Sequence, residues 1–174
     1  MTVNVEDSYG NPSSDTTLVV FSRNPLLGTL NPSAVNTSGG VASTRLSGVT
    51  QAGDVEVSAT AGNVVGSARV YFAAGGLVEL SVTAAPAQIG VGKSTTITVT
   101  ARDAYGNPVS GALIDFAISF DPGGCSLQHA QRTTGRSGTA STIFTAGGVT
   151  GSAVVTVTWD DDPAIEASTF IDIQ

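Results

Sequence analysis

Cys125 and His129 stand four residues apart, and a thiol beside an imidazole is the smallest pair that supports covalent catalysis. A working dyad also needs a group that orients the base and donors for the developing oxyanion. The sequence marks neither, so both residues read as ordinary loop residues. His129 is the only histidine and Cys125 the only cysteine, which rules out an internal disulfide and a zinc site of the usual His-containing types within one chain. Asp160-Asp161-Asp162, with Glu166 close behind, is the best cation candidate, because calcium takes several carboxylate oxygens. The run lacks the spacing of a calcium loop, and solvated turn carboxylates are the favoured reading. Asn36-Thr37-Ser38 has the form of a glycosylation sequon and is read as a chance match. No glycine-rich phosphate loop links a strand to a helix. The expectation is a protein without catalytic residues, cofactor or bound metal.

The elements that would carry these residues come in two copies. Asp-x-Tyr-Gly-Asn-Pro occurs at Asp7–Pro12 and at Asp103–Pro108, an offset of 96. Gly-x-Ala-Ser-Thr occurs at Gly40–Thr44 and at Gly138–Thr142, an offset of 98. A period near a hundred residues is too long for a solenoid and fits one small domain in tandem. The organisation predicted is a first domain over 1–73, a short linker over 74–76 and a second domain over 77–174. Asp and Asn at such a corner fold back on the backbone, Gly takes positive φ and Pro fixes the exit. The motif therefore reads as a turn, with Tyr9 and Tyr105 laying their rings over the sandwich end.

Strands show by alternation. In the second repeat, 77–84 is followed by 95–101, with Ile97, Val99 and Ala101 on one face and threonines on the other. Then come 112–119, with Ile114, Phe116 and Ile118 inward, 139–145, 152–159 and 165–173. In the first repeat, 2–7 aligns Val3 with Val99 and Val5 with Ala101. The segment 17–22 aligns Leu18 with Ile114 and Val20 with Phe116, and 41–46, 55–61 and 64–72 follow. This alignment puts Phe21 on the outward face, opposite Ala117, with the linker, the neighbouring domain or another molecule open as its cover. Trp159 continues an inward face. About seven strands in a hundred residues predict an all-β fold of two tandem immunoglobulin-like Greek-key sandwiches, the first lacking its N-terminal strand.

Composition narrows the function classes. Charged residues make up 12% of the chain against about 25% in ordinary globular proteins. A net charge of −7 and one lysine, Lys93, leave no basic patch for nucleic acid. No apolar run approaches the length of a membrane span, and none of the segments reads as a signal peptide. Aromatic residues are 6% of the chain and fall mostly on inward faces, which argues against a carbohydrate-binding module built on a row of exposed rings. Beginning at Met1-Thr2-Val3, the chain reads as a segment of something longer.

Asp103–Phe116, Gly138–Gly147 and Gly151–Val157 together resemble bacterial Ig-like domains of group 1, the repeats of invasin- and intimin-type adhesins. The likeness covers the second repeat almost entirely and the first from its second strand onward. It implies a non-enzymatic structural and adhesive stalk segment of an extracellular or cell-surface bacterial protein, whose partners are other protein domains of the same or a neighbouring chain. The second repeat has twenty residues, 76–95, with no counterpart in the first. An open edge recruits strands. Two accounts follow: a chain that starts late, or a subunit that forms a homopolymer by strand donation. The edge predicted from the alignment comprises Val3, Val5, Leu18, Val20 and Phe21.

Overall fold

The computed structural model describes residues 1–174. The chain divides into two compact units, Met1–Ala73 and Ala74–Gln174, built from strands and turns without α-helix. No helix is long and apolar enough to cross a membrane.

The second unit holds β9 (Leu77–Ala85), β10 (Gln88–Ile89), β11 (Ser94–Asp103), β12 (Leu113–Phe120), β13 (Ser126–Leu127), β14 (Gln131–Thr133), β15 (Thr139–Thr145), β16 (Gly151–Trp159) and β17 (Asp162–Ile173). They form a five-stranded sheet, β10-β17-β16-β12-β14, and a four-stranded sheet, β13-β15-β11-β9. The period-two pattern explains why these layers face each other. Ile97, Val99 and Ala101 of β11 and Ala153, Val155 and Val157 of β16 are fully buried, while the intervening Thr98, Thr100, Val154 and Thr156 are only partly buried on the opposite faces. Each Val or Ile buried this way contributes about 1.5–3 kcal/mol. Seventeen buried apolar residues make one core, with Trp159 packed partly buried against it.

The first unit repeats the plan in shorter pieces. It comprises β1 (Thr2–Asn4), β2 (Leu18–Asn24), β3 (Thr29–Asn31), β4 (Ala34–Asn36), β5 (Val41–Ser43), β6 (Arg45–Ser47), β7 (Gly53–Ala61) and β8 (Val64–Phe72). One sheet runs β4-β2-β7-β8, and the other layer is split into the pairs β1-β5 and β3-β6. Only seven buried apolar residues form its core. Val3 pairs with Ala42 in β5 as Val99 pairs with Ala140 in β15, which fixes β1 as the counterpart of β11.

The structure reverses one strand face. Leu18 and Val20 are 53% and 45% exposed, whereas Val19 and Phe21 are buried. Phe21 is a core residue of the first unit, lying opposite Ala59 as Phe116 lies opposite Val157. The cause is one additional residue in the loop. Val19 stands seven positions after Pro12, but Ile114 stands six after Pro108. A slip of one residue flips every side chain of a strand to the other face.

Candidate functional site

The recurring motif is a carboxylate-centred corner. Asp103 Oδ1 accepts the backbone N–H groups of Tyr105 (2.9 Å) and Asn107 (2.8 Å), and Oδ2 accepts Asn107 Nδ2 (2.9 Å) and the Gly75 N–H (2.8 Å). Asp7 does the same with Tyr9 and Asn11, through bonds of 2.8 to 3.0 Å. These bonds use the backbone of the tyrosines and leave their rings free. Tyr9 and Tyr105 are 89% and 70% exposed, so the rings do not cover the sandwich ends. The second recurring motif closes on the first: Gly138 accepts the Ala101 N–H (2.8 Å) and Gly40 the Val5 N–H (2.8 Å). Two buried hydroxyls, unmarked by any sequence pattern, tie the same corner. Thr134 Oγ1 donates to Val109 O (2.8 Å), and Thr37 Oγ1 donates to Ser14 O. Thr37 of the sequon thus has a structural task.

The residues with catalytic potential are held by separate partners. The Cys125 N–H donates to Asp121, while His129 exchanges two backbone bonds of 3.0 Å with the Thr142 hydroxyl. Burial first, and then the neighbouring Asp121 carboxylate, push the Cys125 thiol up, which leaves less thiolate at neutral pH. Asp160 and Asp161 form the turn of the β16–β17 hairpin, where Trp159 pairs with Asp162. Asp162 Oδ1 accepts the Ala164 N–H (3.1 Å), and Glu166 lies up the strand opposite Thr158. No three His, Cys, Asp or Glu side chains are grouped to hold a metal ion.

Aromatic exposure exceeds the expectation from alternation. Tyr9, Tyr71, Tyr105, Phe120 and Phe170 are exposed, five of the chain's ten aromatic residues. They are scattered except for Phe120 and Phe170, which flank Val154 across three strands of the five-stranded sheet.

The most distinctive surface lies at the edge of the first unit. β11 is paired on both sides, by β15 and β9, and β17 by β16 and β10. Their counterparts β1 and β8 are each paired on one side only, by β5 and β7. Between these two edges runs an apolar cleft of about 260 Å³, lined by Val3, Val5, Val19, Ala59, Ala61 and Val65 among others. Of the five residues predicted for this edge, the structure brings Val3 and Val5 together there. Leu18 and Val20 lie on the outer face of β2, and Phe21 is in the core. Val19, Ala61 and Val65 belong to the cleft and were missed, Val19 because the alignment set β2 one residue out of register, Ala61 and Val65 because the β7–β8 hairpin carries them there.

The family model for invasin, domain 3, matches residues 78–173, which is 96 of the 174 residues. The chain belongs to the invasin domain 3 family. Yersinia pseudotuberculosis InvD is similar across 99% of this chain and 51% of its own, at 25% identity and a TM-score of 0.73. FdeC, an Escherichia coli adhesin, is similar across 95% of this chain and 55% of its own, at 22% identity and a TM-score of 0.67. A Bacteroides cellulosilyticus glycosyl hydrolase family 2 member shares only the fold, at 16% identity, a TM-score of 0.50 and 24% of its length. This chain spans about half the length of the InvD and FdeC chains. No curated protein matches the sequence.

Within the invasin domain 3 unit, the corner makes stability depend on pH. The Asn107 side-chain hydrogen bond, opposed by burial and reinforced by the N–H groups of Gly75, Asn107 and Tyr105, lowers the Asp103 carboxyl to about 2. A folded pKa below the ordinary value of about 3.9 means that the contribution is complete above pH 4 and lost as pH falls toward 2. Melting followed by Trp159 fluorescence is expected to show the midpoint falling across this window, and falling less steeply in Asp103→Asn. Parallel pH profiles for the two proteins would contradict the assignment. The comparison with Asp103→Asn is needed because Asp121, in the same unit, is lowered as well.

Proposed function

We propose that this chain is a non-enzymatic stalk segment of a bacterial extracellular or cell-surface adhesin, two Ig-like sandwiches in series over 1–73 and 77–174 with 74–76 as linker. The observation that carries this reading is the match of the second sandwich to invasin, domain 3. The similarity to InvD over nearly the whole chain supports it. The proposed role is mechanical: to space or present another part of the protein and bear load between its ends.

The topology of the second unit suits that task. β10, near its start, lies parallel to the end of β17, with Gln88 opposite Asp172 and Ile89 opposite Ile173. Tension applied at the ends of the unit loads the bonds Asp172 N–H to Ala87 O, Gln174 N–H to Ile89 O and Val91 N–H to Gln174 O together, in shear. Bonds loaded together resist more force than bonds opened one after another. In the first unit the outer edge of β8 has no such clasp.

Single-molecule pulling tests the reading. Two discrete unfolding steps are expected, at roughly 3.4 Å per residue released, with the larger step at the higher force. The larger step belongs to the second unit. One continuous extension without steps would overturn a load-bearing role.

A further inference from the structure

The two sandwiches carry the same outer sheet face with its apolar and charged ends exchanged. In the second unit β12, β16 and β17 present three rows on that face. Phe120, Val154 and Phe170 form one, and Asp115, Thr158 and Glu166 form another. Hydroxyls fill the row between, where Thr156 Oγ1 lies 2.9 Å from both Ser119 Oγ and Ser168 Oγ. Phe120 reaches its row through a bulge between Ile118 and Phe120. Strict alternation from Ile114, Phe116 and Ile118 would point it into the core, and a bulge re-aims a side chain. The two rings are 59% and 67% exposed.

In the first unit the equivalent strands are β2, β7 and β8, aligned by Phe21 opposite Ala59 as Phe116 is opposite Val157. The row at the place of the phenylalanines is Asn24, Glu56 and Arg69, and the row at the place of the carboxylates is Val20, Thr60 and Val65. Ser22, Ser58 and Ser67 lie between them. The exposure of the valine row does not come from the unpaired edges of this unit. Its equivalents Asp115 and Glu166 are half-buried and exposed in a unit whose edges are paired. Nor does a following sandwich call for the phenylalanine row, because the first unit is followed by one and has a polar row there.

A second copy fits both faces. Turned end for end and laid face to face, the first unit of one copy sets β2 over β12, β7 over β16 and β8 over β17 of the other. Val20 then meets Phe120, Val65 meets Phe170, the serines meet the hydroxyl row, and Arg69 meets Glu166. The Arg69 guanidinium is available for that pair, since its cross-strand neighbour Glu56 accepts the Ser67 hydroxyl (2.8 Å). The other arrangements conflict. Without the end-for-end turn, the valines fall on Asp115 and Glu166. Two second units face to face set either rings on carboxylates or Asp115 on Glu166, and two first units set either valines on the charged row or Glu56 on Glu56. Like charges and unpaired charges opposite apolar groups are costly.

We propose that this chain self-associates by packing the outer β2–β7–β8 face of one copy on the outer β12–β16–β17 face of another, as aligned sheets pack. The contact is heterologous, because each copy offers both faces. Its footprint is roughly 15 Å by 17 Å from strand spacing and rise. That is well under the about 800 Å² per partner of stable complexes, so association is weak and reversible. It uses no strand edge and exchanges no strand. It does not rest on the stalk reading, since self-association and load bearing are read out separately.

The test uses the full chain, isotope-labelled at fixed concentration and mixed with unlabelled chain over a hundredfold range. Amide shifts should move in step with added chain on both faces, at Val20, Ser58 and Arg69 and at Phe120, Thr156 and Phe170. Phe120→Ser combined with Phe170→Ser should weaken association at least about tenfold and leave the melt unchanged, because both rings are exposed. Arg69→Glu and Glu166→Arg should each weaken it about two- to fivefold at low salt, and less as salt rises. Mixing these two variants should restore association, because opposite charges then meet across the contact. If the double phenylalanine variant also melted lower, the charge exchange would decide. No shift with added chain, shifts on one face only, or a mixture that associates no better than either charge variant alone would overturn the proposal.

Discussion

Gly138→Ala is expected to destabilise the second sandwich by about 2–5 kcal/mol, the sum of two independent costs. Gly138 has φ +71°, and a side chain in the left-handed region costs about 1–2 kcal/mol. The added Cβ would also stand 2.7 Å from Ala101 O, 2.9 Å from Pro108 Cβ and 3.0 Å from Pro108 Cα. All three atoms belong to backbone or a rigid ring, so relief requires the corner itself to move, at about 1–3 kcal/mol for an overpacked site. Gly106→Ala separates the two costs. Gly106 has φ +79°, but its Cβ would meet nothing within 4 Å, so only the conformational cost applies. Urea unfolding monitored by Trp159 fluorescence should show the larger loss for Gly138→Ala. Equal losses would mean that the close approach to Pro108 contributes nothing. Gly40 repeats the arrangement in the first unit, with φ +77° and Pro12 Cβ at 2.7 Å.

That contact explains why two short motifs recur at nearly the same offset. Asp-x-Tyr-Gly-Asn-Pro and Gly-x-Ala-Ser-Thr are about thirty residues apart in each repeat, yet the proline of one packs on the glycine of the other. Their repetition was legible, and so were the long alternating strands. Ile97-Val99-Ala101 and Ala153-Val155-Val157 carry enough period-two signal to fix their inward faces. What the residues could not reveal was pairing across the chain. β3, β4, β5 and β6 are three-residue strands, and β10 and β13 have two residues each, too short for any alternation to show. The parallel clasp of β10 on β17 is defined wholly by a partner more than eighty residues away. The cleft was only half visible for the same reason. Val3 and Val5 follow from alignment with β11, whereas Ala61 and Val65 reach it through the β7–β8 hairpin. The tyrosine rings were misplaced because a repeated corner suggests packing, while Asp7 and Asp103 hold it through backbone N–H groups and an asparagine amide, with no use of the rings.

Phe21→Ala carries the other large expected effect, because it acts on the smaller core. Removing a buried phenylalanine side chain costs about 3–5 kcal/mol, from lost transfer energy and the cavity left behind. A single domain has only about 5–15 kcal/mol in hand. The first unit has seven buried apolar residues to share that loss, against seventeen in the second, so it should stand nearer the lower figure. Phe21→Ala is therefore expected to unfold the first unit well below the transition of the second. Leu18→Ser and Val20→Thr change the exposed face of the same strand and should alter stability by no more than about 0.5 kcal/mol. Calorimetry resolves the outcome: in Phe21→Ala one transition moves down and the other stays, while the two outer-face variants melt like the parent. If Val20→Thr were instead the damaging change, the strand would have to sit one residue out of register, with Leu18 and Val20 inward. That is the arrangement an offset of 96 predicts, and the extra loop residue between Pro12 and Val19 is what prevents it.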